Sequence, residues 1–464
     1  MLRILLILLM LAPVARAAEP RTFRLDYYHT GNAKQELYAL DKVVVEPTAW
    51  PGNPYRPLDT SNLGDYQFEV QDAASGKPLY SRGFCSIYRE WVTTDEAKNA
   101  TRTFHESLRF PAPQKAVRVV VRERDAKNDW KEAWSVAVDP KNMFIDPSVP
   151  DSPGELITFE KNGQPAEKVD LLILGDGYTA GELPKFVTDA KRLVGALFDT
   201  PPFRDRRKDF NVWGLCPPAR ESGISRPSTG VHKASPLGCT YDAFGSERYV
   251  LTFDNRAFRR VASFAPYDAA VILVNGNTYG GGGIFNLYTT TAAGSLWAPY
   301  IFVHEFGHHF AGLADEYYTS PVAYNPPATK IEPWEPNATA LLDPTRPKWK
   351  DLMTTGTPIP TPWRKDEYDR LSRDFQKRRA QLRKDNRPEA EMDALFLEEK
   401  RMLEPRLKAE KYAGKVGAFE GAAYASKGFF RPEINCIMFT RTDAFCAVCR
   451  RAIDRAIDRQ TGKP

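Results

Sequence analysis

The sequence predicts an all-β sandwich followed by a larger domain of α+β or α/β type, and three observations carry that expectation. From Arg21 to about Val138, β-branched or alternating runs (Val43-Val44-Val45, Tyr66 to Val70, Val117 to Val121) alternate with Gly, Pro and Asp turn signals. Later, a wholly apolar strand, Val169 to Leu174, leads through a glycine turn into a helical pattern. A second apolar strand, Ala269 to Val274, then precedes a long helix starting near Pro299.

Taken in order, residues 1–18 read as a secretory signal peptide. Met1-Leu2-Arg3 places one positive charge before an apolar run, Ile4 to Leu11, and Ala15-Arg16-Ala17 supplies small residues for cleavage. The run falls well short of the ~20 residues a spanning helix needs. Export to a secreted or periplasmic location, without stable membrane insertion, is therefore expected. The sandwich, 19–140, holds no catalytic constellation; it is a candidate for contact with a glycan or host protein. The stretch 141–158 reads as a linker, because Asp139 to Gly154 carries four prolines.

The second domain is assigned to 159–460. Its Gly175-Asp176-Gly177-Tyr178-Thr179-Ala180-Gly181 precedes a helix marked by Val187, Ala190, Val194, Leu197 and Phe198. The glycine spacing is one residue too long for a dinucleotide fingerprint, so the segment reads as a strand-to-helix turn needing positive φ. Gly283 to Thr291 reads as one further strand. Residues 364–411 are dense in charge, with Leu371/Phe375 and Met392/Leu395/Phe396 at helical spacing and a break at Pro388. They read as an inserted helical hairpin with solvated faces.

The formal charge of +5 includes Arg3 and Arg16 of the signal segment, and the remainder is dispersed, which argues against a nucleic-acid partner. Six cysteines fit disulfides in an oxidising compartment. Cys216 and Cys239 form a candidate pair, and Cys85 lies alone. Near Cys436, Cys446-Ala-Val-Cys449 fits a zinc or redox motif, but a lone CxxC without a second one favours a disulfide.

Three of the six histidines are His304, His308 and His309. Residues four apart on a helix share a face, so His304 and His308 present two imidazoles to one ion, and Glu305 is placed to reach an attacking water. Neutral nitrogen ligands, a carboxylate base and an open position are what zinc hydrolysis requires. The third ligand is sought just past Gly312, which suits a helix end: Asp315 first, Glu316 second. His309 points roughly 100° away from His308 and belongs to the core or to the support of the site.

His304-Glu-Phe-Gly-His308-His-Phe-Ala-Gly312-Leu-Ala-Asp315-Glu-Tyr resembles the active-site stretch of the IgA-specific metalloendopeptidase family, a metzincin-like group of secreted zinc peptidases. Leu174-Gly-Asp-Gly-Tyr-Thr179 is similar to the start of that family's catalytic domain. Gly417 to Pro432, running into Cys436-Ile-Met438-Phe, is similar to its C-terminal signature. The resemblance implies a zincin (metzincin-like) catalytic domain, a Zn2+ cofactor and a protein or peptide substrate. It also implies a methionine turn at Met438. Gly312 and Asp315 each fall one residue later than the usual metzincin pattern, which keeps Glu316 and distant Glu420 open as ligands. The expected set is His304, His308 and Asp315 on the metal, Glu305 as general base, and Tyr424 or Tyr317 beside the oxyanion. The alternative is an exported glycan- or protein-binding protein with a structural or degenerate zinc site.

Overall fold

Alternation of inward apolar and outward polar residues along seven strands builds the N-terminal part. A computed structural model describes residues 20–322 and 330–462; the expected signal segment lies outside the described residues. Strands β1 (Arg21–Asn32), β2 (Gln35–Ala49), β3 (Tyr66–Asp72), β4 (Pro78–Phe84), β5 (Arg102–Pro111), β6 (Val117–Arg124) and β7 (Trp130–Val138) form two sheets, ordered β2-β1-β5 and β4-β3-β6-β7. Every pairing is antiparallel. Phe23, Leu25 and Val43 of one sheet share a buried cluster with Phe68, Val70 and Val119 of the other, so the sheets face each other as a sandwich. Between β4 and β5, α1 (Ile87–Val92) is capped by Ser86, whose side chain accepts from the Arg89 N–H.

The segment after β7 carries no regular element until β8 (Ile157–Glu160). Then follow β9 (Val169–Asp176), α2 (Leu183–Asp199), β10 (Phe210–Leu215), the short pair β11 (Cys239–Thr240) and β12 (Leu251–Thr252), α3 (Asn255–Ala262), β13 (Ala269–Val274), β14 (Gly281–Ile284), β15 (Tyr288–Ala292) and α4 (Ala298–Ala311). Six strands make one mixed sheet, β14-β15-β13-β9-β10-β8, whose four inner strands are parallel and whose edges β14 and β8 are antiparallel. Strands β9, β10 and β13 are buried along their whole length, as strands covered on both faces must be. Gly177, at φ +77°, makes the expected left-handed turn after β9.

Leu171 and Ile173 point to one face of this sheet, where α2 and α4 pack; Leu172 and Leu174 point to the other, covered by α1 and α3. The stretch expected as one strand at Gly283 to Thr291 is a hairpin. Asn286, at φ +54°, turns the chain, and β14 folds back on β15. The apolar character continues through the turn, which hid the break from the sequence pattern.

The charged stretch 364–411 holds two helices, α5 (Lys365–Lys384) and α6 (Glu389–Lys408). Its apolar stripe, Phe375, Met392, Leu395 and Phe396, packs on Tyr279, Trp297 and Ile301. The chain closes with the hairpin β16 (Phe419–Ala422) and β17 (Ala425–Arg431) and with α7 (Ala447–Thr461), which packs against α4 on the α2 side of the sheet. No helix among the described residues is long and apolar enough to cross a membrane.

The expected disulfides are absent: all six cysteines are unbonded. Cys216 packs with the α2 side of the sheet and Cys239 with the α3 side, so the sheet stands between the two sulfurs. Cys436 and Cys449 sulfurs lie 3.7 Å apart, far beyond the ~2.05 Å of a disulfide.

Candidate metal centre and active-site cleft

Helix α4 is buried on most of its circumference, and its last turn opens into a cleft of about 670 Å3. His304 and His308, one turn apart, direct their Nε2 atoms at each other across 3.2 Å. Each ring is fixed from behind. His304 Nδ1 donates to the Ile437 carbonyl at 3.0 Å, and His308 Nδ1 donates to the Leu313 carbonyl at 2.6 Å. A carbonyl oxygen can only accept, so Nδ1 is the donor in both rings, and Nε2 is the atom each ring turns toward a metal.

Gly312, at φ +62°, ends α4 and returns the chain past its own last turn; the Gly312 N–H bonds to the His308 carbonyl at 3.0 Å. Asp315 thereby reaches the imidazoles. Its Oδ1 lies 3.0 Å from His304 Nε2 and 3.3 Å from His308 Nε2, buried and with no hydrogen-bond partner. A tetrahedral zinc with bonds of about 2.0–2.1 Å sets its donors roughly 3.3 Å apart. Two nitrogens and one orphaned carboxylate oxygen at this spacing fit such an ion.

The neighbouring acids do not share the site. Adjacent residues of an extended chain face opposite ways, and Glu316 turns from the cleft into the core, where Asn337 donates to its Oε1 at 2.9 Å. Glu420 accepts from the Gly428 N–H at 3.0 Å within its own hairpin. Glu305 lies in the cleft with a carboxylate oxygen within 4.8 Å of both ring nitrogens. It too could be proposed as a ligand. Asp315 sits closer to both nitrogens, and its Oδ1 is the orphaned oxygen.

Burial disfavours charge throughout, and the local pairs decide who keeps it. At His308 burial is outweighed by the Asp315 carboxylate, which holds the imidazole at about 9. Asp315, despite burial, is held well below the usual carboxylate range by the two rings. Glu305 moves the other way: burial pushes it up, and the imidazoles offset that only in part. His309 is buried neutral, pushed down to about 4 by burial, with Nδ1 donating to the Ile284 carbonyl at 3.0 Å. It pins α4 to the sheet and stays out of the cleft, as its position on the helix predicts.

Two aromatic residues close the site. The turn joining β16 to β17 consists of Ala423 and Tyr424, both left-handed at φ +49° and +62°, positions that hairpins usually give to Asn and Gly. The Ala423 and Tyr424 N–H groups donate to the Asp315 and Tyr317 carbonyls at 2.9 and 3.1 Å. The Tyr424 hydroxyl, expected beside an oxyanion, donates to Asp315 Oδ2 at 2.5 Å. Tyr317 Oη accepts from Arg248 at 3.2 Å. Met438 is fully buried beneath α4, and its sulfur would lie 3.3 Å from a Cβ placed at Gly307.

Sequence reasoning missed several of these supports. Tyr300, whose hydroxyl donates to the Ile437 carbonyl at 3.2 Å, was findable one turn before His304. Arg248 and Asn337 carried no signal, since folding alone brings them to the site. The Asn337 side chain is wholly buried and grips Ala314 from both sides. The helical hairpin's inner residues Ser372, Gln376 and Lys400, and Arg124 and Asn128 of the sandwich, line the cleft, so neither part is a bystander.

The family model described as IgA Peptidase M64 matches residues 157–457, and the one described as Peptidase M64 N-terminus matches residues 14–135. No curated protein matches the chain.

Proposed function

Because the chain belongs to the IgA peptidase M64 family, a metallopeptidase family acting on protein or peptide, we propose that it is an exported, zinc-dependent endopeptidase with a metzincin-like centre. The observation that carries this reading is the convergence of His304 Nε2, His308 Nε2 and Asp315 Oδ1 within 3.0–3.3 Å beside Glu305. A zinc held by these three donors supplies Lewis acidity, acidifying a water and polarising the scissile carbonyl.

The chain's own residues do the rest. Glu305, with its proton affinity raised by burial, takes the proton of the attacking water and passes it to the leaving nitrogen. The Ile437 and Leu313 carbonyls hold the imidazoles in the tautomer that leaves Nε2 free. Tyr424 grips Asp315 Oδ2 and so aims Oδ1 at the rings; with its hydroxyl engaged there, positioning is the role the geometry supports best. Met438 supports the floor. Walls drawn from the sandwich, the sheet domain and the helical hairpin suit a polypeptide segment lying across the centre.

A casein digest with and without a zinc chelator tests the reading. Cleavage at internal bonds, abolished by the chelator and restored by zinc, is expected. Chelator-independent inactivity with tight binding to cell-wall or mucosal material would replace it with the binding-protein alternative.

A further inference from the structure

Behind the cleft, the Cys436, Cys446 and Cys449 sulfurs and one Glu316 carboxylate oxygen lie within 4.8 Å of one another, all four residues buried. We propose that this is a second, structural metal site, taking one tetrahedral thiolate-favouring divalent ion of the zinc class. Zinc bonds of about 2.3 Å to sulfur and 2.1 Å to oxygen separate two sulfurs by about 3.8 Å and a sulfur from an oxygen by about 3.6 Å. The Cys436–Cys449 sulfur separation is 3.7 Å, and Cys449 Sγ lies 3.5 Å from Glu316 Oε1.

Three further features point to an ion. Glu316 is wholly buried, and its Oε2 has no hydrogen-bond partner, a costly arrangement for a carboxyl group with no cation to satisfy it. The sulfurs are placed to accept from backbone: the Cys446 N–H points at Cys436 Sγ (3.2 Å) and the Cys449 N–H at Cys446 Sγ (3.4 Å). Such bonds, at the N-terminus of the fifteen-residue α7, favour thiolates. Arg431, fully buried and in no ion pair among the described residues, donates to the Gly421 carbonyl and offsets part of the negative charge nearby.

None of the four residues lines the cleft, so all ligands are protein groups and no position is left open for substrate, which marks a structural site. Its location gives it work to do. Glu316 follows Asp315, Cys436 precedes the Ile437 carbonyl that orients His304, and Cys446 begins α7. An ion here staples the Asp315 segment, the Met438 turn and the C-terminal helix together. In an oxidising compartment it also keeps the thiols from pairing.

The test is metal analysis of the full-length protein, independent of any peptidase assay. Wild type is expected to hold about two zinc equivalents, and His304→Ala/His308→Ala about one. Cobalt replacing zinc in that double variant is expected to give the thiolate-to-cobalt charge-transfer absorption of a sulfur-rich site. X-ray absorption of the zinc in unmutated protein, which needs no variant to fold, should show sulfur neighbours. A double-histidine variant free of metal, only nitrogen and oxygen scatterers in wild type, or an intact mass showing a disulfide among these cysteines would each overturn the proposal.

Discussion

Tyr424 donates its hydroxyl to Asp315 Oδ2 while Asp315 Oδ1 faces both imidazoles, so the tyrosine sets the aim of the carboxylate from a strained hairpin turn. Left-handed backbone at a non-glycine residue costs about 1–3 kcal/mol and persists where the surroundings demand it. Here the Ala423 and Tyr424 N–H bonds to the Asp315 and Tyr317 carbonyls supply that demand. Tyr424→Phe should therefore weaken zinc binding in the cleft by about 10–100-fold with the fold intact, as loss of a group supporting a ligand does elsewhere. Titration against a chromophoric chelator reads this directly. Unchanged zinc affinity would remove the positioning role.

Two of the candidate acids, Asp315 and Glu420, are separable by metal content. Asp315→Ala should strip zinc from the cleft and abolish hydrolysis. Glu420→Gln should leave both intact, because that side chain bonds within its own hairpin. Zinc loss from the Glu420 variant, with Asp315→Ala fully loaded, would reverse the assignment.

The edge strand of the sheet is held tightly against the helix of the histidines. A Cβ at Gly283 would collide with the Glu305 carbonyl oxygen, a backbone atom that cannot swing away. Gly283→Ala should push β14 off α4, lowering stability by about 1–3 kcal/mol and activity along with it. Denaturant unfolding, followed beside the peptidase assay, would expose the error if neither quantity moved.

Asp170 is expected to make the fold less stable as pH rises from about 4 to about 8. Its side chain accepts from Asn211 and Trp213, yet burial first and the neighbouring Asp268 second push it up to about 8, with Asp268 itself raised to about 6. A carboxyl raised in the folded state stabilises it fully below the unfolded value near 4, and that contribution is lost as pH climbs through the folded value. Asp170→Asn keeps the acceptor and removes the charge. Wild type should thus lose stability relative to this variant between about pH 4 and 8, by on the order of a few kcal/mol. Parallel pH profiles of the two proteins would deny this.

What could be read in advance was what depends on neighbours along the chain. The facing pair His304 and His308, the stop at Gly312, the turn at Gly177 and the break at Pro388 each follow from a local period or a single residue's conformational limits. Asp315 against Glu316 could not be decided that way. Alternation guarantees that one faces the cleft, but which one is set by bonds to Ala423, Tyr424 and Met438, over a hundred residues away. The same limit explains the cysteines. Cys216 and Cys239 invite pairing until the sheet is seen between them, and Cys446-Ala-Val-Cys449 gains its third sulfur and its carboxylate only through tertiary packing.

Glu305→Gln puts the central claim to its most direct test. The variant keeps the shape of the side chain and all three proposed ligands but cannot accept the water's proton. It should retain zinc in the cleft at wild-type stoichiometry while kcat/KM on a peptide substrate falls by about two to four orders of magnitude. Wild-type hydrolysis by a folded, zinc-loaded Glu305→Gln protein would contradict the account.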